Sequence, residues 1–548
     1  MLAESGVSRV LARIYASRGI ASPHELDCGL SSLPAYRALR NIDAAAERLA
    51  DAIGNRERIA IVADYDADGA TACAVGVRGL RALGGDVDFV VPNRFEFGYG
   101  LTPEIVALAQ AKAPKLIVTV DNGIASHEGI AAAAQLGIDV LVTDHHLPGD
   151  RLPTPAIIVN PNQAECEFPS KHIAGVGVMF YVLAATRAKM RGRGALNGDG
   201  PNLGSLLDLV ALGTVADVVK LDQVNRILVE QGLRRIRAGR AQSGIAALFR
   251  VAGKDTRRAT ATDLGFVAGP RLNAAGRLAD MSIGIRCLLS DRDDEAMALA
   301  HELDCLNRER REVEATIESE AIAALETVDA SNDAHSLCLY RPEWHQGVVG
   351  IVASRLKDRF HRPAIVFARG TNGELKGSGR SIQGLHLRDA LDVISKRHPA
   401  LIGRFGGHAF AAGLSIEASA LARFQDAFEA IAREQLTPAD LARVVESDGT
   451  LARGELTYAL ARELEDRVWG QGFAPPAFDD EFEVRDCRVV NDAHLRLTLE
   501  RDGERFNAML FRSTSPPPGR IRAVFRPEID RYQGLEGLTL VIGHWEPA

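Results

Sequence analysis

A five-residue apolar run, Ile59-Ala60-Ile61-Val62-Ala63, delivers the chain directly into Asp64-Tyr65-Asp66-Ala67-Asp68-Gly69. The run reads as a buried strand. Three carboxylates at alternate positions then share a turn that Gly69 allows to close tightly. Like charges at this spacing repel, and a cation between them relieves the repulsion. The pattern Asp-x-Asp-x-Asp-Gly also opens an EF-hand loop. Such a loop needs a bidentate Glu at its twelfth position, which here is Val75, and a helix ahead of it rather than a strand. A strand feeding the turn points instead to the metal site of a hydrolase.

From Arg58 onward, strand and helix patterns alternate. Val87–Val91, Lys115–Val120, Val140–Thr143 and Ala156–Val159 read as strands, and Thr102–Ala111 and Ser126–Leu136 as helices. This rhythm predicts a mostly parallel sheet covered by helices. Ligands of such sheets sit beyond the carboxyl ends of the strands, so the residues that follow each strand are informative. Asp121-Asn122-Gly123 follows Val120, and Asp144-His145-His146 follows Thr143. Gly213-Thr214-Val215-Ala216-Asp217 follows the helical stretch Leu203–Leu212. Taken singly, the first is a turn, the second a chance dipeptide of histidines and Asp217 a helix cap. Taken together, Asp66, Asp68, Asp121, His145 and Asp217 are expected to converge in one cleft. Carboxylates and imidazole without thiolate suit Mn²⁺ or Mg²⁺. So many oxygens favour two ions, with Asp121 as the bridge, and hydrolysis of a phosphate ester as the reaction.

Composition sets the frame. A length of 548 residues leaves room for three or four domains. Seven cysteines without CxxC spacing give no disulfide framework, no apolar run is long enough to span a membrane, and the amino terminus lacks a signal-peptide core. The chain reads as cytoplasmic. A net charge of −8 argues against a general coat for duplex DNA and leaves room for a nucleic-acid enzyme whose metals neutralise its acidic cluster.

The segments Val62–Thr71, Val120–Gly123, Thr143–His146 and Gly213–Asp217 resemble, in order and spacing, the motif series of the DHH phosphoesterases, and within them the bacterial single-strand-specific exonucleases. The resemblance covers nearly the whole chain. It implies that Asp66, Asp68, Asp121, His145 and Asp217 are metal ligands and that His146 faces the scissile phosphate. Val62 stands where pyrophosphatase-type relatives carry a metal-binding His, which leaves Asp64 or water to complete the first ion's shell. The implied reaction is 5′→3′ degradation of single-stranded DNA to mononucleotides in recombination and repair. A single-strand-binding protein and a helicase are the partners it brings into view, with no docking residue legible. The rivals are a DHH hydrolase of pyrophosphate, short oligonucleotides or cyclic dinucleotides, and a non-catalytic single-strand-binding scaffold. The first has little use for the rest of this chain; inactive relatives lose ligands that this chain keeps.

The remaining segments fit that frame. A helical segment, 1–50, precedes the catalytic domain, 51–290. Arg94 and Tyr99, in a glycine-shaped loop beside the expected site, pair a phosphate contact with a base to stack on. Gly269–Leu278 reads as a small-residue loop, with Arg271 and Asn273 near the substrate backbone and Arg277 equally a structural residue. Asp291–Val328 lacks Pro and Gly and predicts a helix of roughly 50 Å linking two domains (291–330). A second α/β unit (331–417) carries Gly377-Ser378-Gly379-Arg380 and Phe405-Gly406-Gly407-His408, read as a backbone nest for phosphate. By resemblance it is the DHH-associated substrate domain, with His408 aimed at the nucleic-acid backbone and Arg94, Ser378 and Arg380 around a terminal 5′ phosphate. After a helical spacer (418–460), alternating residues and the turn Arg501-Asp502-Gly503-Glu504 predict a small antiparallel barrel (461–548), which the resemblance makes an OB fold. Arg496, Arg512, Arg522 and Tyr532 are its candidate strand contacts.

Overall fold

Alternation of apolar side chains along Arg58–Ala63 (β1) sends Ala60 and Val62 to one face of a sheet and Ile59, Ile61 and Ala63 to the other, all of them buried. The computed structural model describes residues 6–92, 100–327, 334–370, 373–531 and 534–548. Arg94, Tyr99 and Tyr532 therefore lie outside the described residues. The chain divides into two units. One comprises Met1–Gly276, Asp280–Asp304 and Glu446–Ala548, and the other Arg277–Ala279 and Cys305–Val445.

In the first unit, β1 joins Asp86–Val90 (β2), Leu116–Val120 (β3), Asp139–Thr143 (β4) and Ile157–Val159 (β5) in the order β2-β1-β3-β4-β5. Every pairing is parallel, so the carboxyl ends of all five strands share one edge. One face packs Ala60, Val62, Ile117 and Val142 against Ile105, Val106 and Ile130. Beyond the sheet come the helices Ala67–Ala82 (α1), Gly175–Gly192 (α2), Leu207–Ala216 (α3) and Gly269–Leu278 (α4). The last corrects an expectation. Gly269–Leu278 is a helix, entered through a π-helical turn at Leu264–Ala268, and its small residues serve close packing.

The same unit holds a closed five-stranded barrel, β11-β12-β13-β15-β14, from Phe478–Val490 (β11), His494–Arg501 (β12), Glu504–Leu510 (β13), Arg520–Asp530 (β14) and Gly537–Pro547 (β15). Asp502 and Gly503 turn β12 into β13 with φ of 52° and 80°, the left-handed pair that a two-residue hairpin needs. The barrel is not wholly antiparallel, because β13 and β15 pair in parallel to close it. Ahead of it, Tyr15 stacks on Trp469 and Phe473.

The predicted long helix is Asp293–Thr327 (α5), 35 residues, and its residues divide between the two units after Asp304. In the second unit, Leu337–Tyr340 (β6), Ala364–Arg369 (β7), Glu374–Arg380 (β8), Arg404–Gly407 (β9) and Ala411–Glu417 (β10) form a mixed sheet in the order β6-β7-β8-β10-β9. Here the expected phosphate nest does not form. Gly377 and Gly379 lie in a regular antiparallel strand, paired on both sides. A Cβ at Gly377 would sit 2.5 Å from Phe367, and one at Gly379 2.7 Å from Leu387. The glycines make room for core side chains. The stretch expected as a spacer also belongs to this core. From the helix Leu421–Gln435 (α6), Phe424 and Phe428 are fully buried, and Phe424 meets Phe367 edge-on at 5.5 Å. Among the described residues, no helix is long and apolar enough to cross a membrane.

Burial of this size fixes a magnitude. Phe424→Ala is expected to destabilise the second unit by about 3–5 kcal/mol, read as a lower urea midpoint. An unchanged midpoint contradicts the place given to α6.

Candidate metal centre

Five carboxylates and two imidazoles meet beyond the carboxyl edge of the parallel sheet. Asp64 follows β1 directly, and its Oδ1 accepts from the Tyr65 amide at 2.7 Å. Asp66 caps α1, with Oδ1 accepting from the Gly69 amide at 2.9 Å. Asp68 therefore sits in the first helical turn rather than in a loop. It is completely buried, and both its oxygens accept amides from the start of α2, Gly175 at 2.6 Å and Val176 at 3.0 Å. Helix amino ends favour negative charge, and Asp66 and Asp68 use two of them.

Asp121 follows β3 in the left-handed region, φ 61°, a conformation Asp tolerates better than most residues. The next side chain holds that turn: Asn122 donates to the carbonyls of Val120 at 2.9 Å and Val62 at 3.2 Å. Asp217 arrives differently. α3 runs on to Ala216, and Asp217 is its C-cap, so this candidate ligand comes from a helix end.

His145 joins the set. Its Nε2 stands 3.0 Å from Asp121 Oδ1, 3.5 Å from Asp217 Oδ2 and 4.0 Å from Asp68 Oδ2. On the other side, Asp64, Asp66 and Asp121 bring one oxygen each within 4.8 Å of one another. Asp121 belongs to both groups. His145 Nε2 and Asp217 Oδ2 are buried, and among the described residues neither makes a hydrogen bond of acceptable geometry. Buried polar atoms are rarely left so, and a cation is the partner their chemistry fits.

Electrostatics give the same answer. Burial, then the charges of neighbouring aspartates, push the carboxyls of Asp68, Asp121 and Asp217 above the usual range. Burial and the neighbouring His146 push His145 down to about 4, leaving a neutral imidazole, the form that binds metal. His146 goes the other way. Burial lowers it, but the 2.7 Å hydrogen bond to Asp144 and that carboxylate's charge outweigh burial and raise it to about 9. Asp144 is buried and held low despite that burial by its bonds to His146 and to the Ile124 amide. The donor set fits hard divalent cations: Asp68, Asp121, His145 and Asp217 would hold one, and Asp64, Asp66 and Asp121 a second.

Several supporting residues carry no sequence signal of their own. Asp144 was visible only as the first letter of its motif. Asn162 and Asn160, after β5, donate to the carbonyls of His145 at 2.6 Å and His146 at 2.9 Å. Of the residues expected to meet nucleic acid, Asn273 lies at the start of α1, between Asp66 and Asp68, where its Oδ1 accepts from the Ala67 amide at 2.8 Å. Arg271 is buried, its guanidinium held by Asp304 at 2.8 Å and by the Val267 carbonyl at 2.7 Å. Arg277 donates to the Gly347 carbonyl at 3.1 Å. In the second unit, Ser378 and Arg380 are half-buried neighbours at 3.3 Å, and His408 is exposed in the β9–β10 turn.

Three family models match the chain: DHH family, N-terminal domain, over residues 58–214; DHHA1 domain over 333–434; and RecJ OB domain over 447–544. The fold and the carboxylate–imidazole site thus define a protein of the DHH class. A Salmonella typhimurium protein named single-stranded-DNA-specific exonuclease RecJ is 49% identical over 550 residues, covering 97% of this chain and 95% of its own length. Two crystal structures of RecJ from Thermus thermophilus each cover 100% of this chain. The Mn²⁺ complex has a TM-score of 0.84 at 30% identity over 77% of that chain, and the Mg²⁺ complex 0.78 at 28% over 76%. The chain belongs to the RecJ family.

The site's tolerance is small. A Cβ at Gly175 would lie 2.8 Å from Asp121 Cβ, so Gly175→Ala must displace Asp121. The expected result is a loss of about 10–100-fold in Mn²⁺ affinity by calorimetry, with unchanged far-ultraviolet circular dichroism. Wild-type affinity would show that Asp121 is not a ligand.

Proposed function

We propose that this chain is a cytoplasmic, Mn²⁺- or Mg²⁺-dependent exonuclease that degrades single-stranded DNA from its 5′ end, releasing mononucleotides in recombination and repair. The observation that carries the reading is the convergence of Asp68, Asp121 and Asp217 on His145 Nε2 within 4.0 Å. When bound, two divalent cations supply a nucleophile at neutral pH and neutralise charge on a phosphoryl oxygen. The chain's own part is to hold the ligands. His146 supplies a positive donor for a phosphate oxygen, and Asp144 fixes its ring through Nδ1.

Polarity comes from a second anion site. Arg380 is half-buried, its charge disfavoured by burial alone, and no carboxylate among the described residues pairs with it. Ser378 lies beside it. Gly350, at the start of the helix Val349–Phe360, approaches so closely that a Cβ there would be 2.8 Å from Ser378 Oγ. A cation, a hydroxyl and a helix amino end suit a terminal phosphate. The barrel adds strand contacts. Arg488 and Arg496 face each other across β11 and β12, an arrangement that costs stability until an anion balances it. Arg522, by contrast, is neutralised by Asp479 at 2.6 Å. Single strands must come from duplex opening, so a helicase and a single-strand-binding protein complete this reading as partners.

Release of acid-soluble label from a long single strand is expected with Mn²⁺ and not with EDTA. Asp121→Asn should lower the rate by on the order of 10²–10³-fold or more, and Mn²⁺-dependent release that survives this change refutes the reading. Arg380→Ala should erode the preference for 5′-phosphorylated over 5′-hydroxyl ends by about 10–100-fold, the worth of a charged hydrogen bond. A preserved ratio removes Arg380 from the anchor.

A further inference from the structure

We infer that Asn273 is a positioning residue of the metal centre, through the grip of α4 on the carboxylate loop, rather than a contact to the substrate. The inference rests on reading Asp64–Asp68 as the metal-holding segment. Ala67 stands between Asp66 and Asp68, and its amide is among the first of α1, which have no partner inside the helix. Asn273 Oδ1 accepts that amide at 2.8 Å. Three residues on, and so on the same helical face, Gly276 lies against Tyr65. A Cβ at Gly276 would come within 1.8 Å of the Tyr65 carbonyl oxygen. The two contacts bracket Asp66, one on each side.

The helix is itself held. Arg271 points to a different face from Asn273, two residues away. Its Nε and Nη2 both meet Asp304 Oδ1, at 3.0 Å and 2.8 Å, and Nη1 donates to the Val267 carbonyl at 2.7 Å. Both partners are buried, and truncating either would leave the other's charge uncompensated. The guanidinium that the sequence offers to a phosphate is thus committed to holding α4 against α5. Without Asn273, the Ala67 amide is left to compete for the carboxylate oxygens beside it, the same oxygens that a cation needs. Neither Asn273 nor Gly276 touches the atoms that would react, and each acts through the placing of Asp66 and Asp68.

The test is a calorimetric Mn²⁺ titration of the full chain without DNA, followed by steady-state kinetics on a single strand. Asn273→Ala should bind Mn²⁺ about 10–100-fold more weakly. At saturating Mn²⁺ its KM should stay within about twofold of wild type, and the Ala67 amide of the metal-free protein should exchange its hydrogen faster. Asn273→Asp keeps the acceptor and should retain Mn²⁺ binding, which keeps the test decisive if the alanine variant is unstable. Wild-type Mn²⁺ affinity in Asn273→Ala together with a KM raised about tenfold would make Asn273 a substrate contact and overturn the inference. Wild-type protein that binds Mn²⁺ yet releases no label would instead overturn the nuclease reading and leave the positioning result standing.

Discussion

The structure depends on holding mutually repelling carboxylates together out of water. Two unit charges 4 Å apart interact by about 4 kcal/mol at the effective dielectric of a protein site. Here, Asp68, Asp121 and Asp217 all lie within 4.0 Å of one imidazole nitrogen. Several of the acids are consequently placed where the backbone offers compensation. Asp68 takes the two leading amides of α2, Asp66 caps α1, and Asp144 binds the Ile124 amide. These donors lessen the repulsion without removing it, because the three innermost carboxyls remain shifted upward. A bound cation removes the rest, so metal binding and stability of the catalytic domain are thermodynamically linked.

That constraint explains the architecture around the site. A parallel sheet is the economical way to bring residues 57 and 81 positions apart from Asp64, namely Asp121 and His145, to one edge. The helices then do two jobs. Their amino ends supply amides, and their close approach fixes the spacing of the acids. At Gly175 and Gly276 the approach is tighter than any side chain permits. Those glycines are therefore as much a part of the site as the carboxylates.

Legibility in the sequence followed the range of the interaction. The strand before Asp64, the acids after β3 and β4, the Asp502-Gly503 turn and the 35-residue helix are local patterns, and each reads directly. What failed was the meaning of small residues. Gly269-Pro270 and the Gly377–Arg380 segment read equally as loops or as tightly packed elements, and only tertiary neighbours decide between them. Phe367 and Leu387 fill the space beside Gly377 and Gly379, and Tyr65 the space beside Gly276. Asn160 and Asn162 are silent for another reason: they hold backbone carbonyls, which leave no mark in residue type. The parallel seam between β13 and β15 is likewise non-local.

Charge, finally, separates the arginines that hold the protein from those that can hold a polyanion. With 72 acidic against 64 basic side chains, many cations have a carboxylate beside them, and a guanidinium's presence in a motif says little. Arg271 illustrates one outcome: buried, with Nε and Nη2 both on one oxygen of Asp304, it is a structural tie. Arg380 illustrates the other: half-buried and paired among the described residues only with a hydroxyl and a carbonyl, it bears a desolvation cost, which the phosphate of the proposed reading would offset. The same logic divides Arg522 from Arg488 and Arg496 on the barrel. A chain with net negative charge can therefore act on nucleic acid, provided that uncompensated cations are placed where the strand must pass.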